Sequence, residues 1–421
     1  MSKNTRQVIT LATAAILVAV MLIGGGWWIG RRGAHEAGTP GRAPSAPTSS
    51  ATAEESTPAT SPEPPGRPGE APAGVWRRLP AAPLSGWHAG AVGVWTGSEL
   101  LVYGWRGTIA DDPATIAGAA YHPARRTWRR LAPMPAPRGD REGYNSAVWT
   151  GREMIVRGFV TAAFNPMSNR WRSLPPAPEG APDVPSVMVW TGRQVLMWGG
   201  GCCDEYGSTG AAYTPATNSW RMLPASPLAG RRTVGAWTGT ELVIVGGFGL
   251  RDDTGYQTFA DAAAYNPATR RWRRLPSLPA PRQYPTATWT GTEVLVVGGS
   301  ASRPTHLYAE GAAYNPAANR WRRLAAMPEG GRVDHTAVWT GRRLLVWGGQ
   351  TVRDGAWTVP SRGLAYDPAA DRWSALPVSP LRGRVEHAAV WTGRQLLIWG
   401  GVPIGGDGSA APFMDGAGYT P

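Results

Sequence analysis

Cysteine and lysine are nearly missing from these 421 residues: there are two cysteines, adjacent at Cys202 and Cys203, and one lysine, Lys3. Neighbouring thiols cannot staple distant parts of a chain. Their Cα atoms lie about 3.8 Å apart, short of the roughly 4.4–6.8 Å of an ordinary disulfide. The pair is therefore a candidate vicinal disulfide that would stiffen one loop without holding a fold together. The scarcity of lysine leaves 41 arginines to carry a net charge of +13, a bias that reflects coding composition more than chemistry. No phosphate-cradling loop and no nucleophile–base motif stands out, and no metal site or cofactor is expected. No cysteine lies near residue 30, which excludes a lipidated N-terminus.

What is abundant is tryptophan, with 22 residues, and it is periodic. The tripeptide W-T-G occurs with its Trp at Trp95, Trp149, Trp190, Trp237, Trp289, Trp339 and Trp391, in steps of 54, 41, 47, 52, 50 and 52 residues. A period near fifty signals a repeat architecture. A second series, (Y/F)-x-P-x-x-x-x-W, ends at Trp128, Trp171, Trp220, Trp272, Trp321 and Trp373, one short of seven. The seventh Trp stands at the other end, in Val75-Trp76-Arg77-Arg78-Leu79-Pro80, while the chain stops at Tyr419-Thr420-Pro421. The repeat reads as a circle cut open inside one unit. Each unit reads as four short strands, the second apolar throughout as a strand covered on both faces must be. Glycine in W-T-G supplies the positive φ of a tight turn, and Asn or Asp before Pro starts the second turn. One such sheet cannot bury both its faces alone, so the units must stack around an axis.

The order G-G, then Y-(N/D)-P-x-(T/A)-(N/D)-R-W, then L-P and R-x-x-H resembles the kelch repeat over residues 75–421. That resemblance implies an all-β, seven-bladed kelch-type β-propeller of the galactose-oxidase-like superfamily. Kelch order puts the Trp strand outermost, so residues 75–79 would complete the last blade without a covalent link. Copper-radical oxidases of this superfamily need a Cys–Tyr crosslink and an added domain, which this sequence lacks; the sialidase box S-x-D-x-G-x-x-W is also missing.

Residues 8–30 contain one apolar run, Val8 to Ile29, long enough to span a bilayer, with Trp27 and Trp28 where an interfacial belt would lie. Arg31 and Arg32 follow in place of a small-residue cleavage site, which favours an uncleaved signal-anchor over a removed signal peptide. Residues 31–74, rich in Pro, Ala, Ser and Thr, read as a disordered stalk. The expectation is a short cytoplasmic segment, residues 1–7, a single-pass helix over 8–30, and an extracellular, monomeric propeller. Arginines and acids separate by face. The long 2–3 and 4–1 connections collect about 18 of the 24 acids beyond residue 74; the short-turn face and outer strands hold about 22 Arg against 6 acids. An anionic envelope surface is the partner this basic side suggests; nucleic acid is not expected, because no recognition motif appears.

The variable face carries the candidate sites. Gly331-Arg332-Val333-Asp334-His335 and Gly383-Arg384-Val385-Glu386-His387 give two carboxylate–His pairs that could bind a metal or transfer protons, although R-x-x-H is also part of the repeat. Divergent loops are freer to serve a ligand: Trp87 and His88; Arg138, Asp140, Arg141 and Tyr144; Arg251, Asp252 and Asp253 with Tyr256; Arg282 with Tyr284; His306 with Tyr308; and Trp357. In the second repeat Arg157 replaces the first glycine of Gly-Gly, and the 2–3 loop nearly vanishes, so a binding notch is expected there. Aromatics mixed with Arg and carboxylates suit a sugar or a peptide. A surface-tethered protein- or glycan-binding scaffold is the leading reading; a carbohydrate-active epimerase, lyase or hydrolase is the alternative.

Overall fold

The computed structural model describes residues 74–84, 89–105, 116–135, 146–158, 160–201, 206–250, 255–301, 306–404 and 411–421. The segments read as membrane anchor and stalk lie outside the described residues; among the described residues no helix is long and apolar enough to cross a membrane. Every regular element described is a strand, and the strands form a seven-bladed β-propeller. Blade five shows the pattern: Thr286–Trp289, Val294–Val297, Ala312–Asn315 and Arg320–Arg323 pair in sequence order as an antiparallel meander. The innermost strands lie side by side in a closed ring, with that of blade one, Ala89–Trp95, against that of blade seven, Ala388–Trp391.

Burial follows radial position. Second strands such as Val294–Val297 and Leu396–Trp399 are buried throughout, because a neighbouring blade covers each face. Third strands of blades one to five use Ala-Ala-(Tyr/Phe), whose small residues let blades approach. The core is accordingly seven apolar slices, one between each pair of adjacent blades.

The second Trp series clasps these slices. Every outer-strand indole donates its Nε1–H to a carbonyl of the preceding blade at 2.8–3.0 Å, from Trp128 on Pro80 round to Trp76 on Pro377. Each indole also packs on the Tyr or Phe opposite it on the third strand, with centroids 4.8–5.2 Å apart. A buried polar atom that found no partner would cost about 1–3 kcal/mol, so the indole N–H has to meet a carbonyl. The W-T-G turns repeat as well: in the first, Thr96 Oγ1 accepts the Glu99 amide at 2.9 Å and Gly97 takes φ 99°. A carboxylate after the turn then reaches across the third strand to an arginine of the fourth, as in Glu99–Arg129, Glu153–Arg172, Glu241–Arg273 and Glu293–Arg322.

The ring closes as the sequence implies. Val75, Trp76, Arg77 and Arg78 pair with Thr420, Tyr419, Gly418 and Ala417, making residues 75–78 the outer strand of blade seven. Because fourth strands begin at the short-turn face, the chain enters the disc on its arginine-rich side.

Candidate functional site

The R-x-x-H connections build the rim of the variable face. In blades four to seven the carbonyls of Arg231, Arg282, Arg332 and Arg384 accept the second Gly amide of the preceding blade, at 2.8–3.0 Å. The guanidiniums fold back into their own blades. Arg282 donates to Gly298 O and Glu310 O, both at 3.0 Å, and Arg384 to Gly400 O at 3.0 Å and Asp415 Oδ1 at 2.7 Å. Arg332 reaches Arg362 O and Glu329 Oε2, both at 3.1 Å. Arg231, Arg282 and Arg384 also lie over Phe259, Tyr308 and Phe413. His335 and His387 bond Thr286 and Thr336 at 3.1 and 2.8 Å, each on the inner strand of the blade before. Burial, reinforced by the adjacent arginine, lowers both histidines to about 3, so they are neutral at physiological pH. The glycines are needed here: a Cβ on Gly348 would sit 2.4 Å from His387 Cε1.

Arg282, Arg332, Arg384, His335 and His387, read from sequence as ligand candidates, are thus sealed into blade joints. Arg157 is buried too. Its Nε donates to Pro182 O at 2.9 Å, and its two amino groups to Thr161 Oγ1 at 2.7 Å and Asp183 Oδ1 at 3.0 Å. Where other blades carry glycine, blade two carries a guanidinium filling the joint with blade three; the loop expected to border the notch, residues 138–144, lies outside the described residues. Trp87, His88, Arg138, Asp140, Arg141, Tyr144, Cys202 and Cys203 lie outside the described residues, as do Arg251, Asp252 and Asp253.

Three of the sequence candidates do come together. Tyr284, Asp334 and Glu386 occupy equivalent positions before the inner strands of blades five, six and seven, each left-handed, at φ 55°, 54° and 54°. The residue preceding each is clamped by a backbone bridge: Gln283 with Ser300, Val333 with Gln350, Val385 with Val402. Together these fix a row of side chains around the mouth of the central channel. Gln350 Nε2 donates to Asp334 Oδ2 at 3.1 Å. Asp334 keeps an exposed surface, yet the protein packed around its carboxyl raises its pKa. Glu386 is raised by burial first and by the Asp334 charge second; Arg232, opposite both, pulls each back down.

An aromatic row leads outward from this pair. Tyr284 packs on Phe248 at 4.9 Å, Phe248 on Tyr206 at 5.8 Å, and Tyr206 on Tyr256 at 6.3 Å, with the Arg232 guanidinium 6.0 Å over Phe248. Tyr256 and Tyr284 keep 50 % and 37 % of their surface exposed. Below the channel mouth a cavity of about 250 Å³ opens between the inner strands of blades one to three, lined by Val92, Gly93, Ser146, Ala147, Ser186 and Met188.

Arg232, Phe248 and Gln350 were not singled out from sequence. The signal for Arg232 was present: the connection from Arg231 to Trp237 is one residue shorter than that from Arg282 to Trp289, and its register shift there turns a second arginine to the mouth. Among the described residues no group of three or more His, Cys, Asp or Glu side chains could hold a metal ion. Among the described residues the channel mouth offers a carboxylate pair, the Arg232 cation, an amide and a flat aromatic approach. No family model matches this sequence, and no curated protein matches it either.

Proposed function

We propose that this chain is a kelch-type propeller tethered to the cell membrane by its apolar N-terminal segment, whose variable face binds a glycan at the channel mouth. The observation that carries the reading is the row Tyr256–Tyr206–Phe248–Tyr284 ending on Asp334, Glu386 and Arg232. Exposed aromatic faces pack against the C–H faces of sugar rings, and carboxylates with an amide fix hydroxyl groups by hydrogen bonds. Among the described residues, two carboxylates face the Arg232 cation, a balance that suits a neutral or amino-bearing sugar.

A glycan array probed with the full-length chain in neutral detergent tests this, with Tyr284→Ala and the pair Asp334→Asn, Glu386→Gln as comparators. Binding that both variants lose supports the reading; binding that neither alters overturns it. One observation favours the enzymatic alternative, since carboxyl groups with raised pKa values are the usual proton donors in sugar chemistry. Conversion of a bound oligosaccharide, abolished by Glu386→Gln, would make the protein a carbohydrate-active enzyme. In the tethered reading the N-terminus is inside and the disc outside, its arginine-rich face turned to the anionic envelope surface. Protease added to intact cells should remove the propeller; an untouched propeller would refute the orientation.

A further inference from the structure

The turn joining third and fourth strands ends on a left-handed residue in blades one to six: Arg126, Asn169, Asn218, Arg270, Asn319 and Asp371, with φ between 44° and 57°. Asn and Asp adopt this conformation more readily than other side chains with a Cβ. Here they also use it. Asn218, Asn319 and Asp371 accept the hydroxyls of Tyr213, Tyr314 and Tyr366 at 2.7, 2.7 and 2.5 Å, and Asn169 accepts the Ala132 amide at 2.9 Å. Arginine has no acceptor and can make none of these bonds. Blade one recovers a long bond, from Arg126 Nη2 to Arg78 O at 3.5 Å, whereas blade four gives up the acceptor and takes the less favoured backbone to set the Arg270 guanidinium at this point. Local rules broken without internal compensation are the mark of a functional position.

In blade four that guanidinium faces a groove. Residues 224–227 of blade three form one side, and Arg270, Arg271, Trp272 and Arg274 the other, around a cavity of about 480 Å³. Arg274 is held at its edge by Pro227 O at 2.7 Å, which leaves its other N–H groups for a ligand. Among the described residues no carboxylate lines the groove. Those of the same face, among the described residues, are engaged elsewhere: four in the forks to Arg129, Arg172, Arg273 and Arg322, with Asp367 beside Arg343 and Asp371 on Tyr366.

We propose that the groove between blades three and four binds an acidic polysaccharide, with an anionic group among Arg270, Arg271 and Arg274 and a sugar ring against Trp272 and the prolines. Trp272 is packed on Tyr265 at 5.1 Å and its indole N–H is committed to Pro224, so it offers an apolar border and not a platform on which a nucleic-acid base could stack. A flat bilayer would meet the rim before the recess. A flexible chain of charged sugars fits both the cavity and its charge. In the cell the ligand would be an acidic polymer of the envelope, which rests on the tethered orientation given above; binding by the purified protein does not, so failure of the groove and failure of the topology are told apart.

The test measures dextran sulfate binding to the full-length chain in neutral detergent, with neutral dextran as the uncharged counterpart. The variant Arg270→Asn, Arg271→Ser, Arg274→Met installs what blade three carries at the same register, Asn218, Ser219 and Met222, and so keeps a turn and strand that already fold here. Its charge-matched control neutralises Arg152, Arg342 and Arg394, exposed on the same face in other turns. Expected is roughly tenfold or greater weakening for the groove variant, as for lost charge-assisted bonds, little change for the control, and no binding of neutral dextran. Equal losses in both variants would show diffuse charge and overturn the site, as would an unchanged groove variant. Tighter, groove-dependent binding of duplex DNA or of anionic vesicles would overturn the ligand class.

Discussion

At the scale of single residues, the described side chains that look chemically ready in the sequence are mostly occupied in joints. The indole clasp is the simplest to test. Trp321→Phe keeps a ring against Tyr314 but removes the N–H that meets Pro276 O at 2.8 Å. The expected loss is about 1–2 kcal/mol, from one hydrogen bond and some packing, read as a shift in the denaturant midpoint with unchanged slope. His387 gives a pH prediction whose sign is fixed by its environment. Its folded pKa lies at about 3, below the 6.5 of a free histidine, so between those values the unfolded chain binds a proton that the folded chain does not. Stability therefore falls as pH drops through that window, by about 1.4 kcal/mol per pH unit at its steepest. His387→Gln, which can still bond Thr336, should flatten the fall in melting temperature between pH 6.5 and pH 4; an unchanged pH profile would show that His387 is protonated in the fold. The raised Asp334 and Glu386 act in the opposite sense, favouring the folded state at acid pH, which is why the comparison is between variant and parent.

Among strands and turns, the fork between a second-strand carboxylate and a fourth-strand arginine recurs often enough to look indispensable. Blade three shows that it is not, because Gln194 there takes the place of Glu and accepts Arg221 Nη2 at 3.0 Å. The arginines are also partly exposed, about 38 % in Arg273 against 16 % for Glu241. Glu241→Gln should thus cost less than about 1 kcal/mol, and a stability deficit that vanishes in high salt is the expected signature. Strand-level features were readable from the letters because they depend on local chemistry: a glycine that needs positive φ, an apolar run that needs cover, an indole that recurs. Asp334 and Glu386 were readable as candidates for the same reason. The side-chain path of Arg332 was not, since whether a guanidinium folds back or points outward depends on carbonyls 16 and 30 residues further along its own blade, Gly348 O and Arg362 O. Nor was the aromatic row, which joins Tyr206 of blade three to Phe248 and Tyr256 of blade four and Tyr284 of blade five through no shared motif.

For the whole molecule, seven repeats and one displaced Trp announced both the blade count and the seam. If the ring is indifferent to where the chain is cut, a circular permutant should fold. Joining Pro421 to Gly74 with a short linker and opening the chain in the turn at residues 267–270 recreates the same break in blade four. Its melting temperature should lie within a few degrees of the parent's, and calorimetry showing no cooperative transition would refute that equivalence. The seam also has a temporal meaning. During synthesis the segment Val75–Arg78 emerges with its hydrogen-bonding edge and Trp76 unsatisfied, while its partner Gly416–Thr420 follows only after the six intervening blades have been made. At roughly 5–20 residues per second the wait is on the order of tens of seconds. By its end a nearly finished disc gapes at one sector, so newly made copies standing close together are the ones most exposed to capturing each other's first strand.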